Sequence, residues 1–368
     1  MEKKFRFSFE RKIILLATFA YFTSIPFSQG QEMQRKLDSL LVFYHKKYEF
    51  SGNVLVAKKE TVLYQTSLGY ANIETREKNN ANTKFLIGSA TKSFTAIAIM
   101  QLYEWGLIDL HKPIRTYLPE LQNQVGDLTL HLLMKNSSGL PVHLNRITKL
   151  EYRDISSQEL IKLYQEIKLE FTPGSTYAYS NLNYQLAALV LERINGKSYK
   201  EILKHEIFEP AEMSNTGIER TNDQVLNKAS GHDVVEGEFI LATPNYMAYA
   251  KGGGDMYSTI GDLFKWDQAL YSDCLLSDES KELLFDGKVG EYGSYGYGFK
   301  VKKYQRNNAS MPSGKLVRHG GSMYGYSCNI HRYLDDEVLI VVLGNIRPYP
   351  VMDITMEIES LLFKYNYL

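Results

Sequence analysis

Ser89-Ala90-Thr91-Lys92 opens a strongly apolar stretch (Phe94, Ile97, Ile99, Met100, Leu102) and is the only Ser-x-x-Lys in the chain. On a helix, residues three apart share a face with their Cβ atoms about 5–6 Å apart, so a lysine amine at the second position reaches a serine hydroxyl at the first. A lysine pressed into an apolar helix start loses hydration, its pKa falls, and as a neutral amine it can take the serine proton. The N–H groups of the helix start also favour developing negative charge. The competing reading makes Ser89 a helix N-cap and Lys92 a solvated side chain. A second group, Tyr179-Ser180-Asn181, follows Phe171-Thr172-Pro173-Gly174 and precedes a helical pattern from Leu182. Its tyrosine can share proton transfer, and its asparagine offers both a donor and an acceptor to Lys92 and to a substrate amide. A third, His319-Gly320-Gly321-Ser322, closes a short strand-like run with glycines that let a substrate backbone approach. Alternation along that strand turns Arg318 to the opposite face, away from the chemistry. Tyr70-Ala71-Asn72 repeats the Tyr-x-Asn spacing but sits at the end of a hairpin and reads as structural.

Positioning these groups requires a frame, and the pattern of residues supplies one. Gly52 to Tyr70 reads as a hairpin turning at Lys58-Lys59-Glu60. Strand signals then give way, from about 88 to 285, to helical patterns: Ser93 to Trp105 before Gly106, Leu182 to Ile194 before Asn195-Gly196, and Gly261 to Tyr271 after Ser258-Thr259. Short β-rich runs return at Tyr295 to Tyr304, Lys315 to His319, Tyr326 to Leu334 and Glu337 to Leu343, with Asp335-Asp336 as a turn. A periodic apolar helix, Val351 to Phe363, comes last. Strands at both ends and helices between predict one sheet region (31–87 plus 290–368) and a mainly helical insert (88–289), with function at their seam.

The chain has 368 residues, long enough for one large domain or two interlocked ones. Lys plus Arg and Asp plus Glu both count 42, so no net charge recommends a nucleic-acid partner. No obligate protein partner is evident, and the partner expected is a small-molecule or peptide substrate. Two cysteines, Cys274 and Cys328, are too few for a disulfide framework and read as two unpaired, buried thiols, although one bridge stays open. The eight histidines show no paired ligand spacing, so neither a metal nor a cofactor is expected. Gly196-Lys197-Ser198 fails as a phosphate loop because Leu191 stands where the first glycine belongs, and His205-Glu206 lacks the second histidine of a zinc-protease helix. Residues 1–30 run from a basic stretch (Lys3, Lys4, Arg6, Arg11, Lys12) through an apolar run, Ile13 to Phe27, to Ser28-Gln29-Gly30. That is the pattern of a signal peptide, and it predicts a periplasmic or secreted protein, membrane-tethered if the segment is uncleaved.

The order Ser-x-x-Lys, Tyr-x-Asn, His-x-Gly resembles that of the serine β-lactamase-related hydrolases, which include class C β-lactamases, D-alanyl-D-alanine carboxypeptidases, D-aminopeptidases and esterases. Phe85 to Ala96, Ser138-Gly139-Leu140-Pro141, Phe171-Thr172-Pro173-Gly174 and Gly252-Gly253-Gly254-Asp255 extend the resemblance over about residues 40 to 345. It implies an α+β, β-lactamase/transpeptidase-like fold: an antiparallel sheet flanked by helices with a helical domain inserted. It further implies Ser89 as acylated nucleophile, Lys92 and Tyr179 as the proton-transfer pair, and Asn181, His319 and Gly321 as substrate-binding residues. The backbone N–H groups of Ser89 and Ser322 take the part of oxyanion hole. An exported serine hydrolase acting on esters or on amide and peptide bonds, its substrate drawn from the cell wall, follows as the expectation. A slowly deacylating penicillin-recognising sensor and a weak class C-like β-lactamase are the alternatives. The chain departs from β-lactamases in lacking Lys-Thr-Gly: His319 replaces a permanent ammonium with a weaker carboxylate anchor, which favours esters or uncharged peptides. Asn136-Ser137-Ser138-Gly139-Leu140 stands where many relatives read His-Thr-Ser-Gly-Leu, a change expected to act behind the site rather than in it.

Overall fold

The computed structural model describes residues 30–288 and 292–368, so the segment expected to be a signal peptide lies outside the described residues except for Gly30. A helix not anticipated from the sequence, α1 (30–48), opens this part of the chain. Its Met33, Leu37, Leu41 and Tyr44 recur at helical spacing and are all buried. The elements that matter for the site then follow in order: β1 (Gly52–Lys58), β2 (Thr61–Leu68), α2 (Thr91–Glu104), α3 (Asn181–Asn195), α4 (Ile260–Ala269), β3 (Lys300–Gln305), β4 (Ser313–Met323), β5 (Tyr326–Tyr333), β6 (Val338–Gly344) and α5 (Val351–Lys364).

The six strands form one antiparallel sheet in the order β3-β4-β5-β6-β1-β2. The first hairpin thus pairs with the last long strand, Val54 opposite Val342. β6 is buried at every residue, and its alternation explains the layering. Val338, Ile340 and Val342 join Val54, Val56 and the apolar faces of α1 and α5 in one core. Leu339, Val341 and Leu343 join Leu55, Ala57, Phe94 and Trp266 in the other. α5 therefore covers one face of the sheet, while α4, which packs on β6 and β1, covers the other. α2 lies at the centre of the second core, and every residue from Thr91 to Leu102 is buried.

Residues 88–289 carry more β-structure than their composition suggests. Gly217–Ile218 and Phe85–Leu86 flank Met256–Ser258 in a three-stranded sheet. His232–Val235 and Glu238–Leu241 form a hairpin whose turn residues, Glu236 and Gly237, both have positive φ (54° and 87°). The expectation of a strand-free stretch is corrected by these short pairings. Ile346–Arg347 adds to the hairpin in parallel, with Arg347 opposite Asp233. Tyr70–Asn72, expected to be structural, is a short strand paired with Glu77–Lys78, and Asn72 Oδ1 accepts from the Thr75 N–H at 3.0 Å in the turn between them. Both cysteines are free, but only Cys328 is buried; Cys274 is exposed, in a turn, its Sγ donating to the Pro210 carbonyl at 3.4 Å. No helix among the described residues is long and apolar enough to cross a membrane.

Candidate active site

Ser89 stands in a single 3-10 turn, Gly88–Ala90, immediately before α2. Its side chain caps nothing: the residue at the α2 cap position is Ala90, with no side-chain cap bond. Lys92, one turn into the helix, is fully buried. Both facts dismiss the reading of a capping serine with a solvated lysine. The turn is held by backbone-to-backbone contact with β4. A Cβ on Gly321 would sit 1.8 Å from the Ile87 carbonyl oxygen, and one on Gly88, whose φ is +50°, would sit 2.8 Å from Ser322 N. The missing Cβ of Gly321 thus lets β4 approach the chain's own nucleophile turn, a reason for glycine there beside the substrate contact expected from the sequence.

Three oxygens surround the Lys92 Nζ: Ser89 Oγ at 3.1 Å, Asn181 Oδ1 at 2.7 Å and the Gly253 carbonyl at 2.5 Å. Burial pushes the Lys92 amine down to about 7, against the opposing pull of Asp255. A neutral amine has two N–H bonds and one lone pair. With two oxygens that can only accept, Asn181 Oδ1 and the Gly253 carbonyl, the lone pair is left facing the Ser89 hydroxyl. The Tyr179 ring centre is 5.1 Å from Lys92 Nζ, and burial, against an opposing pull from Ser89, raises its phenol well above the ordinary value. The tyrosine is thus a proton donor at neutral pH. Asp255 closes the glycine loop from behind: its Oδ1 accepts from Gly252 N–H at 3.1 Å, and burial pushes its carboxyl up to about 7.

His319 is in the neighbourhood, its ring centre 6.4 Å from that of Tyr179, but it is 4% exposed and both nitrogens are engaged. Nδ1 meets the Gly320 carbonyl at 2.6 Å and must carry the proton, so Nε2 accepts from the Tyr295 hydroxyl at 2.8 Å. Burial, reinforced by Lys92, pushes the imidazole down to about 3. Arg318 points the other way, toward Met352 of α5, as strand alternation requires.

A cleft of about 340 Å³ opens over Ser89, Asn181, Gly253 and Ser322, walled by Leu150, Tyr246, Tyr249 and Tyr324. Among the described residues no Asp or Glu lines it and the one lysine or arginine is Arg347, held at 3.1 Å from Asp233 Oδ1 and stacked 4.6 Å over the Tyr324 ring. His143, at the cleft rim, meets Asn181 Nδ2 at 3.1 Å. Arg347, His143 and Asp255 were not picked out as site residues from the sequence. Arg347 and His143 have no motif spacing, whereas Asp255 was visible as the acid closing a triple-glycine loop. A larger cavity, about 510 Å³, lies around Glu192, Lys251 and Asp255 on the far side of the glycine loop and is lined by none of Ser89, Lys92, Tyr179 or Asn181. No His, Cys, Asp and Glu cluster among the described residues is arranged to hold a metal ion.

The segment Asn136–Leu140 proves to be the brace for Tyr179–Asn181. Asn136 is buried in a left-handed conformation (φ 54°), and its Oδ1 accepts from Ser180 N–H at 3.2 Å and Asn183 Nδ2 at 2.9 Å. Ser137 Oγ donates to the Thr176 carbonyl at 2.7 Å. Asn136 and Ser137 do not line the cleft, consistent with a role behind the site.

Residues 40–361 match the family described as Beta-lactamase. Penicillin-binding protein 4* of Bacillus subtilis is 30% identical over 334 residues, covering 86% of this chain and 72% of that protein. Among solved structures, a penicillin-binding protein from Bacillus halodurans superposes with a TM-score of 0.75 at 26% identity, covering 88% of this chain and 99% of that one. D-amino acid amidase from Ochrobactrum anthropi shares the fold, with a TM-score of 0.74 at 20% identity over 91% of this chain and 98% of that one. A serine, a buried lysine and a tyrosine brought together on this fold, with a family match over most of the chain, lead to one conclusion: the chain belongs to the serine β-lactamase-related hydrolase family.

Proposed function

We propose that the protein is an exported serine hydrolase that cleaves esters or amide bonds through an acyl-enzyme on Ser89. One observation carries the reading: a buried amine with both of its N–H bonds directed to oxygens that can only accept and its remaining side 3.1 Å from Ser89 Oγ. Lys92 takes the hydroxyl proton as Ser89 Oγ attacks the substrate carbonyl. The oxyanion of the tetrahedral intermediate is held by the N–H groups of Ser89 and Ser322, a contribution worth a few kcal/mol in such sites. Tyr179, a phenol at neutral pH, gives its proton to the leaving group and recovers one from Lys92. Water, deprotonated by the neutral Lys92, then releases the acyl group. No cofactor takes part in these steps.

The cleft's composition narrows the substrate. With Arg347 the one lysine or arginine and no carboxylate among the described residues that line it, it suits neutral or anionic groups near Tyr324 and disfavours a cationic one. A peptide or ester derived from the cell wall fits that description. Export rests on the basic, apolar and small-residue order of the first thirty residues, which supports a periplasmic or secreted location. The names of the relatives support a second reading, a penicillin-binding protein that acylates and deacylates slowly. A fluorophosphonate probe should label the wild-type protein on Ser89, and Ser89→Ala should abolish labelling while leaving the thermal midpoint unchanged. Labelling that persists in the variant removes the assignment. Release of p-nitrophenol beyond one equivalent from a p-nitrophenyl ester separates a hydrolase from a slow sensor.

A further inference from the structure

We propose that Asn245, by clasping the backbone of Tyr324, bars the cleft at its acyl end and sets how long an acyl group Ser89 accepts. The inference rests on Ser89 being the acylated nucleophile and Tyr179 the proton donor to the leaving group.

Asn245 and Tyr324 come from different loops and meet as neighbouring strands do. The Tyr324 N–H donates to Asn245 Oδ1 at 2.9 Å, and Asn245 Nδ2 donates to the Tyr324 carbonyl at 3.1 Å. One side-chain amide thus engages both backbone groups of one residue, which fixes its orientation as well as its distance. Both loops are moored on Gly231. The Ala242 N–H donates to the Gly231 carbonyl at 2.9 Å, and Gly325 (φ +78°) packs so closely that a Cβ there would sit 2.5 Å from Gly231 Cα. Asp233 Oδ1 accepts from the Gly325 N–H at 3.1 Å and holds the Tyr324 side a second time. The clasp therefore joins two anchored loops rather than two free ends.

Its place gives it a function. Asn245 and Tyr324 both line the cleft over Ser89, and both line a second compartment of about 380 Å³ whose further walls include Tyr152, Ser230, Ala242 and Tyr326. Two residues that bond to each other and face both compartments form the partition between them. That partition lies on the acyl side. Tyr179 sits beside His319, their ring centres 6.4 Å apart, three residues before the oxyanion donor Ser322 along β4, whereas Tyr324 comes two residues after it. The leaving group and the clasp are thus in opposite directions from the scissile carbonyl. Ser322, Met323 and Tyr324 line the cleft in succession, and two strand residues span about 7 Å. An acyl chain extended along them meets the clasp after about two peptide units. The acyl donor is therefore short, an acylated single residue or a group of that size, and the bulk of a longer substrate belongs to its leaving group.

The test compares kcat/KM for two neutral substrates, the p-nitrophenyl esters of N-acetylglycine and N-acetyltetraglycine, in the wild type, Ser89→Ala, Asn245→Ala and Tyr324→Ala. In the wild type the long ester should be poorer than the short one by about tenfold or more, the scale of a misfit against a pocket wall. Asn245→Ala removes the clasp and opens the second compartment, so the long-to-short ratio should rise by about fivefold or more. Tyr324→Ala removes a ring but keeps both backbone bonds to Asn245, so its ratio should stay within about twofold of the wild type. A loop merely loosened by substitution slows both esters alike and leaves the ratio where it was. A wild type that releases no p-nitrophenol from the short ester, or a Ser89→Ala variant that releases it undiminished, removes the acyl-enzyme reading itself. With that reading intact, a wild-type ratio near one, an Asn245→Ala ratio that does not rise, or an equal rise in Tyr324→Ala overturns the bar alone.

Discussion

Lys92 has to be an ammonium in the unfolded chain and an amine in the working site. At its ordinary pKa near 10.5, only a few parts in ten thousand would be neutral at pH 7. Burial lowers the value to about 7, so the neutral form becomes a major species there. The protonated amine cannot accept the Ser89 proton, so the acylation rate should rise with pH and level off above about 7. Asp255 favours the ammonium, so Asp255→Asn should move that midpoint to lower pH; a midpoint that stays put or rises in a stopped-flow pH series contradicts the assignment. His319, neutral and with both nitrogens engaged, offers a carboxylate no positive charge, in line with the weaker anchor expected there. Among the described residues lining the cleft, Arg347 is the one that can supply that charge. Arg347→Gln should lower kcat/KM for a carboxylate-bearing ester by about tenfold relative to a neutral one, the scale of a charge-assisted hydrogen bond. An unchanged ratio means that the cleft does not read charge through this arginine. Ser89 and Lys92 were legible because three residues on a helix convert directly into a distance. Arg347 and His143 were not, because loops bring them in and no spacing announces a loop's path.

Among elements, the sheet was readable from short β-rich runs bounded by turn residues, although β3 begins at Lys300 rather than at the expected Tyr295. The hairpin His232–Leu241 was missed although Val234-Val235-Glu236-Gly237-Glu238-Phe239-Ile240 contains two short apolar runs around a two-residue turn. Each strand is four residues long and partly exposed, so burial adds little to the alternation, and a helical neighbourhood outweighs it. That hairpin nevertheless supplies Asp233, which holds Arg347 over the cleft. α1 was missed behind the basic and apolar first thirty residues, read as a signal peptide, despite its buried stripe of Met33, Leu37, Leu41 and Tyr44. The bracing of α3 gives a prediction at this scale. Asn136→Ala leaves the Ser180 N–H and the Asn183 amide without their acceptor, in a buried place. It should cost about 1–3 kcal/mol in denaturant unfolding and slow acylation as Tyr179 and Asn181 lose their register. Full stability and full rate together would show the bracing to be idle.

At the scale of the whole molecule, the helical part and the sheet are joined by a buried ion pair. Arg332 of β5 meets Asp267 of α4 with Nε at 2.5 Å from Oδ1, and both side chains are 1% exposed. Arg332→Met leaves an uncompensated buried carboxylate and should cost about 3–5 kcal/mol, while the double variant Arg332→Met/Asp267→Leu should recover most of the loss. Urea unfolding of the three variants checks this, and a double variant no better than the single one would place the cost in packing instead. The pairing of Val54 with Val342 has a different consequence, one of timing. During synthesis β1 and β2 leave the ribosome with an open edge whose partner, β6, follows about 270 residues later, so the sheet cannot close until residues 338–344 have emerged. Ser89, Lys92, Tyr179 and Asn181 all emerge before the strand that carries Gly321 and Ser322. A nascent chain stalled short of β4 holds the nucleophile and its base with no floor beneath the turn, and it should stay unreactive toward the phosphonate until that strand arrives.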